Sequence, residues 1–268
     1  MGIEIRGRAL AAAVVLLAGQ AAAGEIHVMI SGAFSEAYKA LVPAYERHAG
    51  DRILSAYGPS MGETWEALPN RLMRGEPADV VILARTALDG LVKQGKVAPG
   101  TEVDLARSRI AVAVKAGAKI PDISSVESFK RALLEARSIA YSDSASGVYI
   151  SKEMFRRLGI EAEVAPKSKM IPATPVGLIV ARGDAEIGFQ QLSELLPVAG
   201  IQVVGPIPDE VQKITVFSAG ITMAATAPAA ARRLIEYLRS EKAWPTIRRT
   251  GLEAGAGARS EAAAGGNR

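Results

Sequence analysis

The chain has 268 residues, a formal net charge of +4, two histidines and no cysteine. Without cysteine there is no disulfide framework, thiolate metal site, cysteine nucleophile or lipid-anchored cysteine, and His27 and His48 alone cannot furnish a usual zinc site. Apolar residues at 49% mark a globular chain, aromatics at 5% argue against a ring-walled sugar site, and no Lys/Arg cluster suits a run of phosphates, so nucleic acid is not an expected partner.

Arg6 and Arg8, an apolar run over 9–19 and Ala21-Ala22-Ala23 give the order of a secretory signal. The charge-free stretch is shorter than the roughly 20 residues of a membrane helix. Residues 1–23 therefore read as a cleaved signal peptide, and the mature chain as free in a bacterial periplasm. A strand over 25–30 leads to a helical pattern over 35–48 with an internal Pro43. A strand over 53–57, a helix over 63–74, an apolar strand over 79–83 and a helix over 86–94 stopped by Gly95 follow. That alternation predicts a parallel sheet with helices on its faces.

Further on, strands are expected over 110–114, 138–141, around Met170, and over 186–189, 201–204 and 214–222. Helices are expected from a Ser124–Glu127 capping box to Ala136, over 147–158 and 176–182, and from Pro228 to Leu238. The Ala/Gly/Ser-rich stretch 253–268 reads as a disordered tail. The length leaves room for two lobes, and no Ser/Gly/Pro-rich linker divides them. The expected division is 24–109 with 205–252 as one lobe and 110–204 as the other.

Four strand-end loops share one chemistry of small residues, hydroxyls and helix-start N–H groups, which suits an anion. They are Ser31-Gly32-Ala33, Gly58-Pro59-Ser60-Met61-Gly62, Ser142-Asp143-Ser144-Ala145-Ser146-Gly147 and Pro172-Ala173-Thr174. Arg85, after the apolar strand, could clamp a carboxylate; Gln190 and Gln191 could present amide donors. The loop around Ser60 also matches G-x-S-x-G, the motif of a serine hydrolase, although both histidines precede Ser60. A secreted hydrolase using Ser60 is thus the enzyme alternative to a binding protein. No phosphate loop and no H-E-x-x-H motif is present.

The leader and loops, with Gly75-Glu76-Pro77-Ala78-Asp79, Ser146-Gly147-Val148-Tyr149 and Ala185-Glu186-Ile187-Gly188-Phe189, resemble periplasmic molybdate-binding-like proteins, the type II solute-binding proteins of bacterial ABC importers. The resemblance implies an α/β fold of two lobes, each a mainly parallel sheet flanked by helices, joined by crossing strands and closing on a ligand. It implies no cofactor and no catalytic residue, with metal present only inside a bound oxyanion. It further implies a monomer that hands a small anion to an inner-membrane permease and its ATPase. The same fold could instead serve as a ligand-sensing subunit of a membrane signalling system. Carried over residue by residue, the ligand contacts fall on Ala33, Ser60, Ser146 to Val148, Ala173 and Thr174. Gln191 stands where molybdate binders place a tyrosine, and Ala33 where a serine is common. The expected ligand is therefore either an oxyanion such as molybdate or tungstate, or a small carboxylate.

Overall fold

The computed structural model describes residues 24–255. The expected signal peptide and all but the first residues of the expected tail lie outside the described residues. The chain first lays down β1 (Glu25–Ile30), α1 (Gly32–Ala49), β2 (Arg52–Tyr57), α2 (Leu68–Met73), β3 (Val80–Ala84), α3 (Arg85–Lys93) and β4 (Val103–Ser108). It then forms β5 (Ile110–Lys115), α4 (Val126–Glu135), β6 (Ile139–Ser142), α5 (Ala145–Tyr149), α6 (Phe155–Arg157), α7 (Glu161–Val164), β7 (Ser168–Ile171), α8 (Val176–Arg182), β8 (Ile187–Gln191), α9 (Leu192–Leu195) and β9 (Ile201–Pro206). It ends with β10 (Thr215–Ile221), α10 (Pro228–Arg239), α11 (Trp244–Arg249) and β11 (Glu253–Ala254).

Two sheets result, in the orders β11-β4-β10-β3-β1-β2 and β7-β6-β8-β5-β9. Residue Arg109 alone separates β4 in the first sheet from β5 in the second, and 207–214 lead back from β9 to β10. Gln212 ties these two crossings together: its side chain accepts from Ile110 N–H at 2.9 Å and donates to Ile110 C=O at 3.0 Å. The sheets are mixed, where the alternation of elements predicts mainly parallel ones. Strand β1 pairs in parallel with β2 and β3, but β10, β4 and β11 pair antiparallel. Strands that cross between lobes must return, and a returning strand runs against its neighbours.

Both faces of the first sheet are covered, which explains why β3 reads as an unbroken apolar run. Ile26, Val28 and Ile82 pack under α1 and α10, while Met29, Val81 and Leu83 pack under α2 and α3. Helix α1 buries Phe34, Tyr38, Leu41 and Tyr45 on one stripe, keeps Pro43 on its solvent side and ends at Gly50 in a left-handed conformation.

Several expectations are corrected. Helix α2 starts at Leu68, not 63, because Pro69 is tolerated only in the first turn; the preceding loop is held by Asn70 Nδ2 donating to Thr64 C=O at 2.8 Å. The capping box belongs to Ser125 and Ser128, each side chain meeting the other's backbone N–H at 3.1 Å, while Ser124 turns to Asp122. Glu253 and Ala254 are not tail but β11, paired with Arg107 and Ala106 of β4. Strand β9 stays in the second sheet to Pro206, beyond the expected boundary at 204. Among the described residues, no helix is long and apolar enough to cross a membrane.

Candidate functional site

Strands β1, β2, β6 and β8 all direct their C-terminal ends toward the space between the lobes, the usual ligand position of open α/β sheets. There a cavity of about 240 Å³ is lined from the first lobe by Gly32, Tyr57 to Pro59 and Glu66. From the second lobe it takes Ser142 to Ser144, Ala173 to Pro175, Gln190 and Glu194. It is below the roughly 300–1,000 Å³ of drug-sized ligand sites, so its occupant is small. Three carboxylates, Glu66, Asp143 and Glu194, stand in the lining, and no lysine or arginine does among the described residues.

Glu194 lies on α9, directly after β8. Loss of water around its carboxyl, with the nearby Asp143 charge adding to it, pushes Glu194 up to about 7 against the stabilising bond from Gln190 Nε2 at 3.0 Å. Asp143 is buried at the end of β6, and that burial raises it above the usual carboxylate range. Its Oδ2 accepts from Ala173 N–H at 3.2 Å. Ala173 has φ +49°, the one positive φ outside glycine among the described residues. Such strain costs on the order of 1–3 kcal/mol and is retained where the surroundings enforce it. Here it aims an N–H at a cleft carboxylate.

The sequence-derived residues divide into three groups. Gly32, Ser144, Ala173, Thr174 and Gln190 line the cavity. A buried layer comes next. Ser31, the N-cap of α1, keeps an unpartnered hydroxyl. Ala33 C=O accepts from Ser193 Oγ at 2.7 Å, and Ser146 Oγ meets Ser142 Oγ at 3.1 Å. A β-carbon on Gly147 would lie 1.6 Å from Ser142 C=O, so only glycine lets α5 start so close to β6. Gln191 Nε2 donates to Thr215 Oγ1 at 2.9 Å, while its Oε1 is buried without a partner.

The third group lies elsewhere: Met61, Arg85 and Val148 line a separate cavity of about 300 Å³. Arg85 does not reach the cleft carboxylates. Its Nε donates to Asp89 at 2.7 Å and its Nη1 to Asp104 at 2.8 Å, which neutralises the expected clamp. Nor does the hydrolase alternative find support. Ser60 Oγ accepts from Ala84 N–H at 2.9 Å and Ser60 N–H donates to Ser144 Oγ at 3.2 Å, whereas His27 sits beside Asp79 and His48 ends α1. Ser60 is therefore a bridge between lobes with no imidazole beside it. In the sequence Asp143 stands out only as part of its loop and Glu194 not at all; its one signal is an acid four residues after Gln190, just past the end of β8.

Residues 26–253 match the family described as bacterial extracellular solute-binding protein. The chain belongs to that family. It is 48% identical over 247 residues to a Pseudomonas protein named aconitate isomerase, covering 92% of this chain and 94% of that one. It is 25% identical over 246 residues to the molybdate-binding protein ModA of Azotobacter vinelandii, covering 88% and 92%. The solved structure of the Azotobacter vinelandii periplasmic molybdate-binding protein superimposes with a TM-score of 0.71 at 21% identity, over 86% of this chain and 99% of that one. For this solute-binding protein the expectation of no catalytic activity is corrected, because a relative so similar over nearly its whole length bears an enzyme's name. Proton transfer needs neither a thiol nor an imidazole, only carboxylates, and the cleft holds them.

Proposed function

We propose that this solute-binding protein is an isomerase of aconitate, or of a closely similar unsaturated tricarboxylate, acting by proton transfer in the cleft between its lobes. The observation that carries the reading is Glu194. It is a cleft carboxyl held near pH 7 beside a second carboxyl, Asp143, that burial also raises, and a general base works best when its pKa lies near the operating pH. The substrate follows from the 48% identical relative's name.

In aconitate the CH₂ group is both allylic and adjacent to a carboxylate. Glu194 removes one of its protons, and the electron pair of that C–H bond forms a new double bond to the central carbon. The former double bond's electrons take up a proton at the far carbon, returned by the Asp143–Glu194 pair. One proton leaves and one enters, and the new double bond sets in cis or trans according to how the end group was turned. The first-turn N–H groups of α1 and the hydroxyls of Ser144 and Thr174 are the donors available to substrate carboxylates.

With no lysine or arginine in the lining, a tricarboxylate is best admitted while the pair still holds a proton. Affinity therefore falls as pH rises through about 7, whereas kcat rises as Glu194 ionises. The test is incubation of trans-aconitate with the protein in D₂O, followed by proton NMR. Isomerisation with exchange at the reacting carbons is expected, and Glu194→Gln should cut it by about 10²–10⁴-fold at unchanged melting temperature. A folded wild-type protein that binds molybdate and leaves aconitate untouched refutes the reading. The family supports an additional role, handing the bound anion to an inner-membrane permease and its ATPase. Glu194→Gln, which binds without turnover, should then still restore uptake of labelled ligand to a strain lacking the protein.

A further inference from the structure

Gly32 opens α1 and faces the cavity from the first lobe. Its φ is not in the left-handed region, so its backbone makes no demand that alanine could not meet. The first helical position needs no glycine, and glycine is the weaker helix former there. Space supplies the reason instead. A β-carbon built on Gly32 would lie 2.1 Å from Glu194 Oε1 and 3.0 Å from Glu194 Cδ. The three nearest atoms it would meet outside its own helix all belong to the flexible Glu194 side chain, and none is backbone.

We propose that Gly32 is the positioning residue of the proton-transfer site: the missing β-carbon is the space in which the Glu194 carboxylate rests. This rests on the isomerase reading of the cleft. Gly32 belongs to the first lobe and Glu194 to the second, so the carboxylate takes its seat only when the lobes are together. Ser193 Oγ donating to Ala33 C=O at 2.7 Å docks the first turn of α9 on the first turn of α1 at the same place. Gln190 holds the same carboxylate oxygen from its own lobe, its Nε2 donating to Glu194 Oε1 at 3.0 Å while its Oε1 accepts from Val176 N–H at 2.8 Å. Lobe closure thus assembles the acid–base site, as closing elements do in many enzymes.

The substitution Gly32→Ala in the full chain tests this. The colliding atoms end a flexible side chain, so the variant folds with a melting temperature equal to or above wild type, while the carboxylate is displaced. Turnover of trans-aconitate should fall about 100-fold, the usual effect of an ångström-scale misplacement, with KM nearly unchanged. Binding of the saturated analogue tricarballylate, measured by calorimetry, should stay within about threefold. The acid limb of the kcat profile should move down from about 7, because the displaced carboxyl regains water. Glu194→Asp, one methylene shorter, should recover part of the lost turnover when combined with Gly32→Ala. A Gly32→Ala variant with wild-type kcat and acid limb, alongside an inactive Glu194→Gln, overturns the role of Gly32 alone, as does a large fall in melting temperature. A Glu194→Gln variant as active as wild type refutes the underlying assignment of Glu194 instead.

Discussion

Asp79→Ala should weaken the first lobe by about 3 kcal/mol without altering the cleft. Asp79 is almost wholly buried just before β3. Its Oδ2 accepts from His27 N–H at 2.8 Å, and its Oδ1 accepts from Thr226 N–H and Ala227 N–H at 2.6 and 2.9 Å. Helix α10 begins after Ala227, which has no side chain to cap it, so the carboxylate of a neighbouring strand does the capping. Hydrogen bonds to charged groups contribute about 1.5–3 kcal/mol each when buried. The His27 bond counts near the lower end of that range, and the other two N–H groups, which can turn partly to water, count about half as much each, about 3 kcal/mol together. At roughly 2–4 °C per kcal/mol for a chain of this size, the melting temperature should drop by about 6–12 °C in differential scanning calorimetry. Burial alone would raise the Asp79 pKa, but the bonds from His27, Ala227 and Thr226 outweigh it and hold it low. A depressed carboxyl stabilises above its unfolded value near 4 and loses that contribution as pH falls through its folded value. The gap between wild type and Asp79→Asn should therefore be flat above pH of about 5 and close below about 4. Five residues at about 3.3 Å each separate Asp79 from the cleft end of β3, roughly 16 Å, so kcat below the melting range should be unchanged. A drop of under about 2 °C would refute the capping argument.

Two further substitutions separate structural from functional residues in the loops. Ser60→Ala removes the acceptor of the buried Ala84 N–H and should cost about 1–3 kcal/mol by urea unfolding, with turnover retained; total loss of activity in a folded protein would restore Ser60 as a reacting group. Arg85→Ala breaks only half-exposed ion pairs with Asp89 and Asp104, so stability should move by about 1 kcal/mol or less and tricarballylate affinity by under about twofold. A tenfold loss of affinity by calorimetry would put Arg85 back among the ligand contacts.

The strands and their loop ends were legible because a strand buried on both faces must be an apolar run, and the loop after it must be small and polar. Val80–Ala84 and Ile110–Lys115 are such runs. Strand β4 was not legible: Asp104, Arg107 and Ser108 break its apolar pattern, and its partners β10 and β11 come more than a hundred residues later. The motif ending in Asp79 was visible as a family signature, but its work is capping, which requires knowing that α10 returns beside β3. Arg85 was placed at the right strand end, yet Asp104, supplied by unseen β4, decides where its guanidinium points. Glu194 was missed because its meaning is relational. Its position after Gln190 is ordinary, and only the fold sets it against a glycine from the opposite lobe.

Under the proposed isomerase reading, that relation also accounts for acid–base chemistry in a receptor cleft without a catalytic motif. A cleft that grips an anion through hydroxyls and N–H groups needs no cation, and this lining contains none among the described residues. Into the same space the fold brings Asp143 after β6 and Glu194 after β8, with Glu66 from the first lobe facing them. Without a countercharge, burial drives both second-lobe carboxyls toward their neutral forms, and each charge raises the cost of the next. An arginine placed at this cavity would tighten anion binding and lower both carboxyls, leaving a better receptor and a poorer proton carrier.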